Sequence, residues 1–190
     1  MIEKTSSFLY RHLNWKILVL SVVVMILFMV FVLPREAERA AEVIGSGQSP
    51  DTSIFYTPTD LYRMAQAYGP EGRAYYIRSR FTFDVAWPMV YTFFLVSTLT
   101  AVLRRLKAKH RWKLVNVLPF GAMLLDFGEN SLASVVFYRY PLATPVIAHM
   151  TPAFTLSKWA AIGICFILLA GTLIAFFIRK IFPKKKEGSP

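Results

Sequence analysis

Residues 17–33 carry no charged side chain, and Ser21 is the only polar residue among them. With Trp15 and Lys16 beside it, this run is just long enough to cross a hydrocarbon layer about 30 Å thick. Three more apolar blocks follow, at residues 81–103, 114–137 and 153–178. More than half of the 190 residues are hydrophobic (55%) and they are gathered into these blocks, the pattern of a membrane chain rather than a soluble core. A cleaved leader is the rival reading of the first block. The small residues Ala37 and Ala40 that could mark a cleavage site are embedded among Arg35, Glu36, Glu38 and Arg39, which favours an uncleaved helix.

The charges orient the blocks. The lead 1–16 carries Lys4, Arg11 and Lys16, the short connection 104–113 carries six Lys/Arg residues, and the tail 179–190 is basic. Positive residues gather on the cytoplasmic side of membrane proteins. The expected topology therefore has both termini inside, segments 34–80 and 138–152 outside, and a multi-pass location in the cell (inner) membrane. The net charge of +11 sits at the ends of apolar blocks, where it meets anionic head groups, and is not a nucleic-acid signature. A single cysteine, Cys165, rules out an intrachain disulfide.

The outer segment has its own organisation. Residues 43–53, with Gly45, Gly47 and Pro50, suggest a linker. Thr59 or Asp60 could cap a short helix over 61–68, Gly69-Pro70 breaks it, and 71–80 can re-form a helix leading into the next block. Tyr62, Tyr68, Tyr75 and Tyr76 alternate there with Arg63, Arg73, Arg78 and Arg80, as in a head-group-level segment. The expected fold is all-α: a four-transmembrane-helix antiparallel bundle with a short helical extracytoplasmic cap between spans 1 and 2.

Within this frame the ionisable residues inside the blocks stand out. Asp126, Glu129 and Asn130 share one helical face of the third block. Asp84, Pro88 and Tyr91 lie in the second, and Lys158 in the fourth; Pro88 should leave a carbonyl free near Asp84. At roughly 1.5 Å per residue, Asp84 lies roughly 5 Å from the outer boundary, Lys158 roughly 8 Å, Asn130 roughly 10 Å, Glu129 roughly 12 Å and Asp126 roughly 16 Å. An ionised group at such depth must pair, take up a proton or meet water. Lys158 is the natural counter-ion for Glu129 or Asp126, and Asp84 could meet Arg80, Arg139 or Lys158.

Asp84, Asp126, Glu129, Asn130, Lys158, Tyr91 and Arg73 are the candidate binding residues, and Glu129 and Asp126 the candidates for general acid/base chemistry. No cofactor and no metal site is assigned; Asp84, Asp126 and Glu129 could hold a divalent cation through oxygen alone, but their spacing is common. The expected partners are membrane lipids, a small amphipathic ligand or cation, and further copies or a larger membrane complex, with no nucleic acid. Three functions fit: a pocket for a lipid head group, cationic amphiphile or cation; an enzyme on a lipid-linked substrate; and an accessory subunit whose polar face is structural.

The stretch Tyr68-Gly69-Pro70-Glu71-Gly72-Arg73-Ala74-Tyr75-Tyr76, then Asp84, Pro88 and Tyr91, then Asp126-Phe127-Gly128-Glu129-Asn130, then Phe154-Thr155 and Lys158-Trp159, resembles a group of small bacterial four-span membrane proteins of no assigned function. The resemblance covers residues 55–165 and implies that the outer helical segment and the polar face form one module; it brings no activity. The four-span size is also similar to that of sterol-isomerase-like and sigma-2-receptor-like proteins, a likeness of architecture alone.

Overall fold

A computed structural model describes residues 1–45 and 48–182, and all its regular elements are helical; among the described residues there is no strand. Helix α1 (Ile2–His12) precedes α2 (Trp15–Leu27), whose first amides are capped by Asn14 Oδ1 at 2.9 and 3.2 Å. A π-helical turn (Phe28–Val32) joins α2 to α3 (Leu33–Ile44). Then come α4 (Pro58–Ala67), α5 (Gly69–Arg80), α6 (Phe83–Arg105), the single turn α7 (His110–Lys113) with a 3-10 turn after it, α8 (Leu118–Arg139) and α9 (Pro145–Ile181).

Three helical stretches are long and apolar enough to cross a bilayer: 30 residues over Trp15–Ile44, 37 over Gly69–Arg105 and 37 over Pro145–Ile181. They place the chain among membrane proteins. Their outward surfaces stay apolar, as at Leu20 (54% exposed) and Ile167 (72% exposed), which suits lipid and not water. The 22-residue α8 differs: it turns Asp126, Glu129 and Asn130 inward, where all three are buried against neighbouring helices.

Two apolar clusters hold the helices together. One joins Leu61, Met64 and Ala65 of α4, with Tyr68, to Tyr76 of α5, Ala133, Val136 and Phe137 of α8 and Ala148 of α9. The other joins Tyr91, Leu95, Leu99 and Leu103 of α6 to Ala122 of α8 and Cys165 and Leu169 of α9. Along α8 the polar face falls between Ala122 and Ala133, and along α9 Lys158 falls between Ala148 and Cys165. The ionisable groups therefore occupy the junction of the two cores.

Helical structure extends past the apolar blocks at several places. Beyond the block 17–33 the chain stays helical through Pro34. The π turn lets the Leu33 amide bond to the Phe28 carbonyl, five residues back, so the backbone opens just where the proline ring would strike it, and α3 continues to Ile44. The expected 43–53 linker thus begins at Gly45, whose φ of +81° stops the helix; Gly47 lies outside the described residues, as does the tail from 183. The last helix starts at Pro145, not residue 153, and runs through Pro152. Ala148, four residues before Pro152, is buried in the cluster with α4. The expected outer connection 138–152 thus includes the first turns of this helix. The lead 1–16 is also helical: Ser6 Oγ donates to Asn116 Oδ1 (2.9 Å), and Asn116 Nδ2 donates to Thr100 Oγ1 (3.0 Å), pinning α1 to the helix ends beside it.

At Gly128 of α8 the Phe154 ring of α9 packs directly against the backbone. A methyl group there would stand 2.5 Å from Phe154 Cε1, so the ring would have to move. Gly128→Ala should lower stability by about 1–3 kcal/mol, the usual range for overpacking. Adding Phe154→Leu should recover part of that loss in thermal unfolding in detergent; equal losses with and without the second change would refute the close packing.

Thr57 and Asp60 form a reciprocal cap at the start of α4. Hydrogen bonds from the Thr57 side chain and backbone, with Arg63 beside them, hold the Asp60 carboxyl down at about 2 against an ordinary 3.8. A depressed carboxylate stabilises above its ordinary value and ceases to do so as pH falls through the folded one. The stability difference between the wild type and Asp60→Asn should be constant above pH 4 and vanish between about 4 and 2, as read from melting curves.

Candidate functional site

The site is built where α6, α8 and α9 meet below α5. Lys158 Nζ, only 4% exposed as a residue, pairs with Glu129 Oε2 and lies 3.7 Å from Asp126 Oδ1. Glu129 is fully buried. Its other oxygen accepts from Thr155 Oγ1 (2.8 Å), one turn before Lys158, and Thr155 Oγ1 accepts in turn from the Tyr56 hydroxyl (2.7 Å). Asp126 accepts from the Tyr91 hydroxyl at Oδ2 (3.1 Å) and from Asn130 Nδ2 at Oδ1 (3.3 Å). One buried ammonium is thus held by two carboxylates, and each carboxylate is fixed by groups from a different helix.

Pro88 works as its position suggests. It has no N–H to give the Asp84 carbonyl one turn back, and Asn130 Nδ2 donates to that oxygen instead (3.3 Å). The proline therefore ties α6 to the polar face of α8. The Asp84 side chain turns the other way. Its Oδ2 lies 2.9 Å from Arg80 Nη2, off the line of the N–H, and Arg80 also pairs with Asp51. The Arg80 guanidinium lies 4.4 Å from the centre of the Tyr76 ring.

A cavity of roughly 490 Å³ opens beside these groups. Its polar side is formed by Asp84, Asp126 and Lys158, together with Arg80, Asp51 and Glu36. Its apolar side is supplied by the small residues of α3 (Ala37, Ala40 and Ala41) and by Phe83, Trp87 and Trp159. Glu36 accepts from the Tyr75 hydroxyl (2.7 Å) and Ser79 Oγ (3.0 Å). The Tyr76 hydroxyl also borders the cavity; it is buried and has no hydrogen-bond partner among the described residues. Asn130 Oδ1 is likewise buried without one.

Of the residues singled out in the sequence, Asp84, Asp126, Glu129, Asn130, Lys158 and Tyr91 come together. Glu129 stands behind Lys158 rather than on the cavity wall. Arg73 does not join them. Its guanidinium donates to the Ala65 carbonyl (3.0 Å) and covers the Tyr140 ring at 4.9 Å, so it ties α5 to its neighbours. Asp84, Asp126 and Glu129 do not converge as ligands for a cation: among the described residues no three His, Cys, Asp or Glu side chains do so. Sequence reasoning missed Asp51, Glu36 and Tyr56. Asp51 sits in the expected linker, and only its acidic type beside the basic Arg80 gave any signal.

Among the described residues, the core of the site counts four carboxylates (Asp51, Asp84, Asp126 and Glu129) against two cations, Arg80 and Lys158. Such an excess in a poorly hydrated setting calls for protons, water or a positive guest. No family model matches the chain, and no curated protein or solved structure matches it either.

Removing one member of a buried ion pair leaves the other uncompensated and costs about 3–5 kcal/mol. Lys158→Met and Glu129→Leu should each destabilise by that order. The double variant should lose clearly less than the sum, because no charge is stranded between those two positions. Additive losses in a double-mutant cycle in detergent would show that the pair is not energetically coupled.

Proposed function

We propose that the protein is a four-span integral membrane protein that binds an amphiphile with a cationic head group in the cavity beside Asp84, Asp126 and Lys158. In this reading α8 is a further span between the second and third apolar helices, α4 and α5 form a cap on the outer side, and the basic end faces the cytoplasm. The observation that carries the reading is the pairing of excess carboxylates with aromatic walls. Asp84 and Asp126 line the cavity together with Phe83, Trp87 and Trp159. Acidic groups attract an ammonium, aromatic faces hold it, and the apolar wall of α3 accommodates the chain behind it. The volume suits a head group and the first part of a chain rather than a metal ion.

A second reading has its own support. Glu129 and Thr155, both fully buried, and the half-buried Tyr56 form a chain of partners behind Lys158, away from the cavity wall. That part of the network is a structural lock between α8 and α9, as an accessory subunit of a larger membrane complex would also need. The enzyme reading, with Glu129 or Asp126 as general acid/base, draws less from the geometry, since Glu129 has no open approach and Asp126 is held by Tyr91, Asn130 and Lys158.

The test is binding of a decyltrimethylammonium salt, below micellar concentration, to protein in a neutral maltoside detergent. Decanol and decyl sulfate serve as controls. The cation alone should raise the melting temperature. Asp84→Asn and Trp87→Leu should each weaken its binding by about tenfold, the scale of one lost charge or one lost aromatic face in a dry site. Equal stabilisation by the neutral alcohol, or unchanged binding in both variants, would refute the assignment.

A further inference from the structure

The opposite end of the molecule has a second groove of roughly 500 Å³, and its chemistry is reversed. It lies between the start of α2 and the ends of α6 and α9. Leu13, Asn14, Trp15 and Leu18 form one wall, and Leu173, Phe176 and Phe177 the other. Arg104 and Arg105 also line it, and no acidic residue among the described residues does. The guanidinium of Arg104 donates to the Leu13 carbonyl (2.8 Å) and to that of Tyr10, which fixes it at the rim. Arg105 is exposed and makes no ion pair among the described residues.

Two observations say what would fill this groove. The first is charge. Lys4, Arg11, Lys16, Arg104, Arg105, Lys107, Lys109, Arg111, Lys113, Arg179 and Lys180 belong to this end, and the one carboxylate among the described residues there, Glu3, is paired with His110. The second is Ser97. It lines the groove, is 1% exposed, and its hydroxyl has no partner among the described residues. Most buried hydroxyls find an acceptor, in a helix commonly the carbonyl one turn back, and Ser97 uses none among the described residues. Ser97 lies two turns before Arg104 on the same face, roughly 10 Å further along the helix.

We propose that this groove holds one anionic phospholipid of the adjacent leaflet. Its phosphate sits at Arg104 and Arg105. Its acyl chains lie between Leu18 and the Phe176 and Phe177 rings, and an ester oxygen accepts from Ser97 Oγ. Guanidinium groups suit phosphate oxygens because they donate two parallel hydrogen bonds. The apolar walls favour a molecule with chains over a free phosphate. The site is separate from the acid-lined cavity and does not depend on what that cavity binds.

The experiment titrates phosphatidylglycerol and phosphatidylcholine with identical chains into the full chain in detergent. Bound lipid is read by native mass spectrometry and stability by melting. Phosphatidylglycerol should bind more tightly than phosphatidylcholine. Arg105→Gln should weaken phosphatidylglycerol by about fivefold, the worth of one basic residue at an anionic surface, and weaken phosphatidylcholine less, because choline already offsets the charge of the same phosphate. Ser97→Ala should weaken both lipids, and Lys107→Gln, outside the groove, should alter neither. Equal binding of the two lipids would overturn the proposal. So would a loss in Lys107→Gln as large as in Arg105→Gln, which would signal diffuse surface charge. Stabilisation by glycerol phosphate equal to that by phosphatidylglycerol would show that the chains are not held and would also overturn it.

Discussion

An ammonium group buried among helices is tolerated only where carboxylates reach it and are themselves held in place, and Lys158 meets that condition from two sides. Glu129 pairs with it directly and is anchored by Thr155 and Tyr56, while Asp126 approaches at 3.7 Å and is anchored by Tyr91 and Asn130. Moving α8 or α9 independently would strand at least one charge, and moving α6 would take the Tyr91 hydroxyl from Asp126. The polar junction therefore sets how the three helices sit against one another, and the apolar clusters above and below it supply the bulk of the burial. Membrane helices gain little from apolar contact with one another relative to lipid, so a satisfied polar junction carries more of their mutual orientation than it would in water.

The backbone irregularities fall near this junction and each has a local remedy. Pro88 leaves the Asp84 carbonyl without its helical donor, and Asn130 supplies one. Pro34 is preceded by the π turn, which removes the clash its ring would cause and carries the helix on to form the small-residue wall of the cavity. In lipid an unsatisfied backbone group is costly, so such departures are tolerated only where protein groups re-satisfy them. The result is an asymmetric molecule. Excess carboxylate is gathered beside an aromatic and alanine-lined cavity at one level, and excess guanidinium and ammonium at the other end.

Much of the site was legible in the sequence because helical periodicity and depth are local quantities. Asp126, Glu129 and Asn130 are three and four residues apart, which fixes a shared face whatever surrounds it. Lys158 is the one cation in the spans deep enough to answer them. Pro88 lies four residues after Asp84, so the spacing alone places the freed carbonyl. Arg73 went astray because its composition matched a head-group segment while its real partners, the Ala65 carbonyl and the Tyr140 ring, are set by how α5 folds back. Asp51 was overlooked because a short polar stretch rich in Gly and Pro gives no periodicity from which to project a side chain. Only the position of Arg80 at the end of α5 gives it a role.

By itself the sequence determined the helical class, the long apolar blocks, the charge asymmetry between the two ends and the existence of a buried polar face. All of these follow from side-chain solubility and a repeat of 3.6 residues. Tertiary structure decided where helices end and which charges meet. Helix continues through Pro34 beyond the π turn, and α9 runs through Pro152 with Ala148 buried against α4. The pairing of Arg80 with Asp51 and Asp84, and the cavity that α3 closes with its alanines, depend on contacts between segments far apart in the chain. No local pattern encodes those contacts, because their energies arise only once the helices have packed.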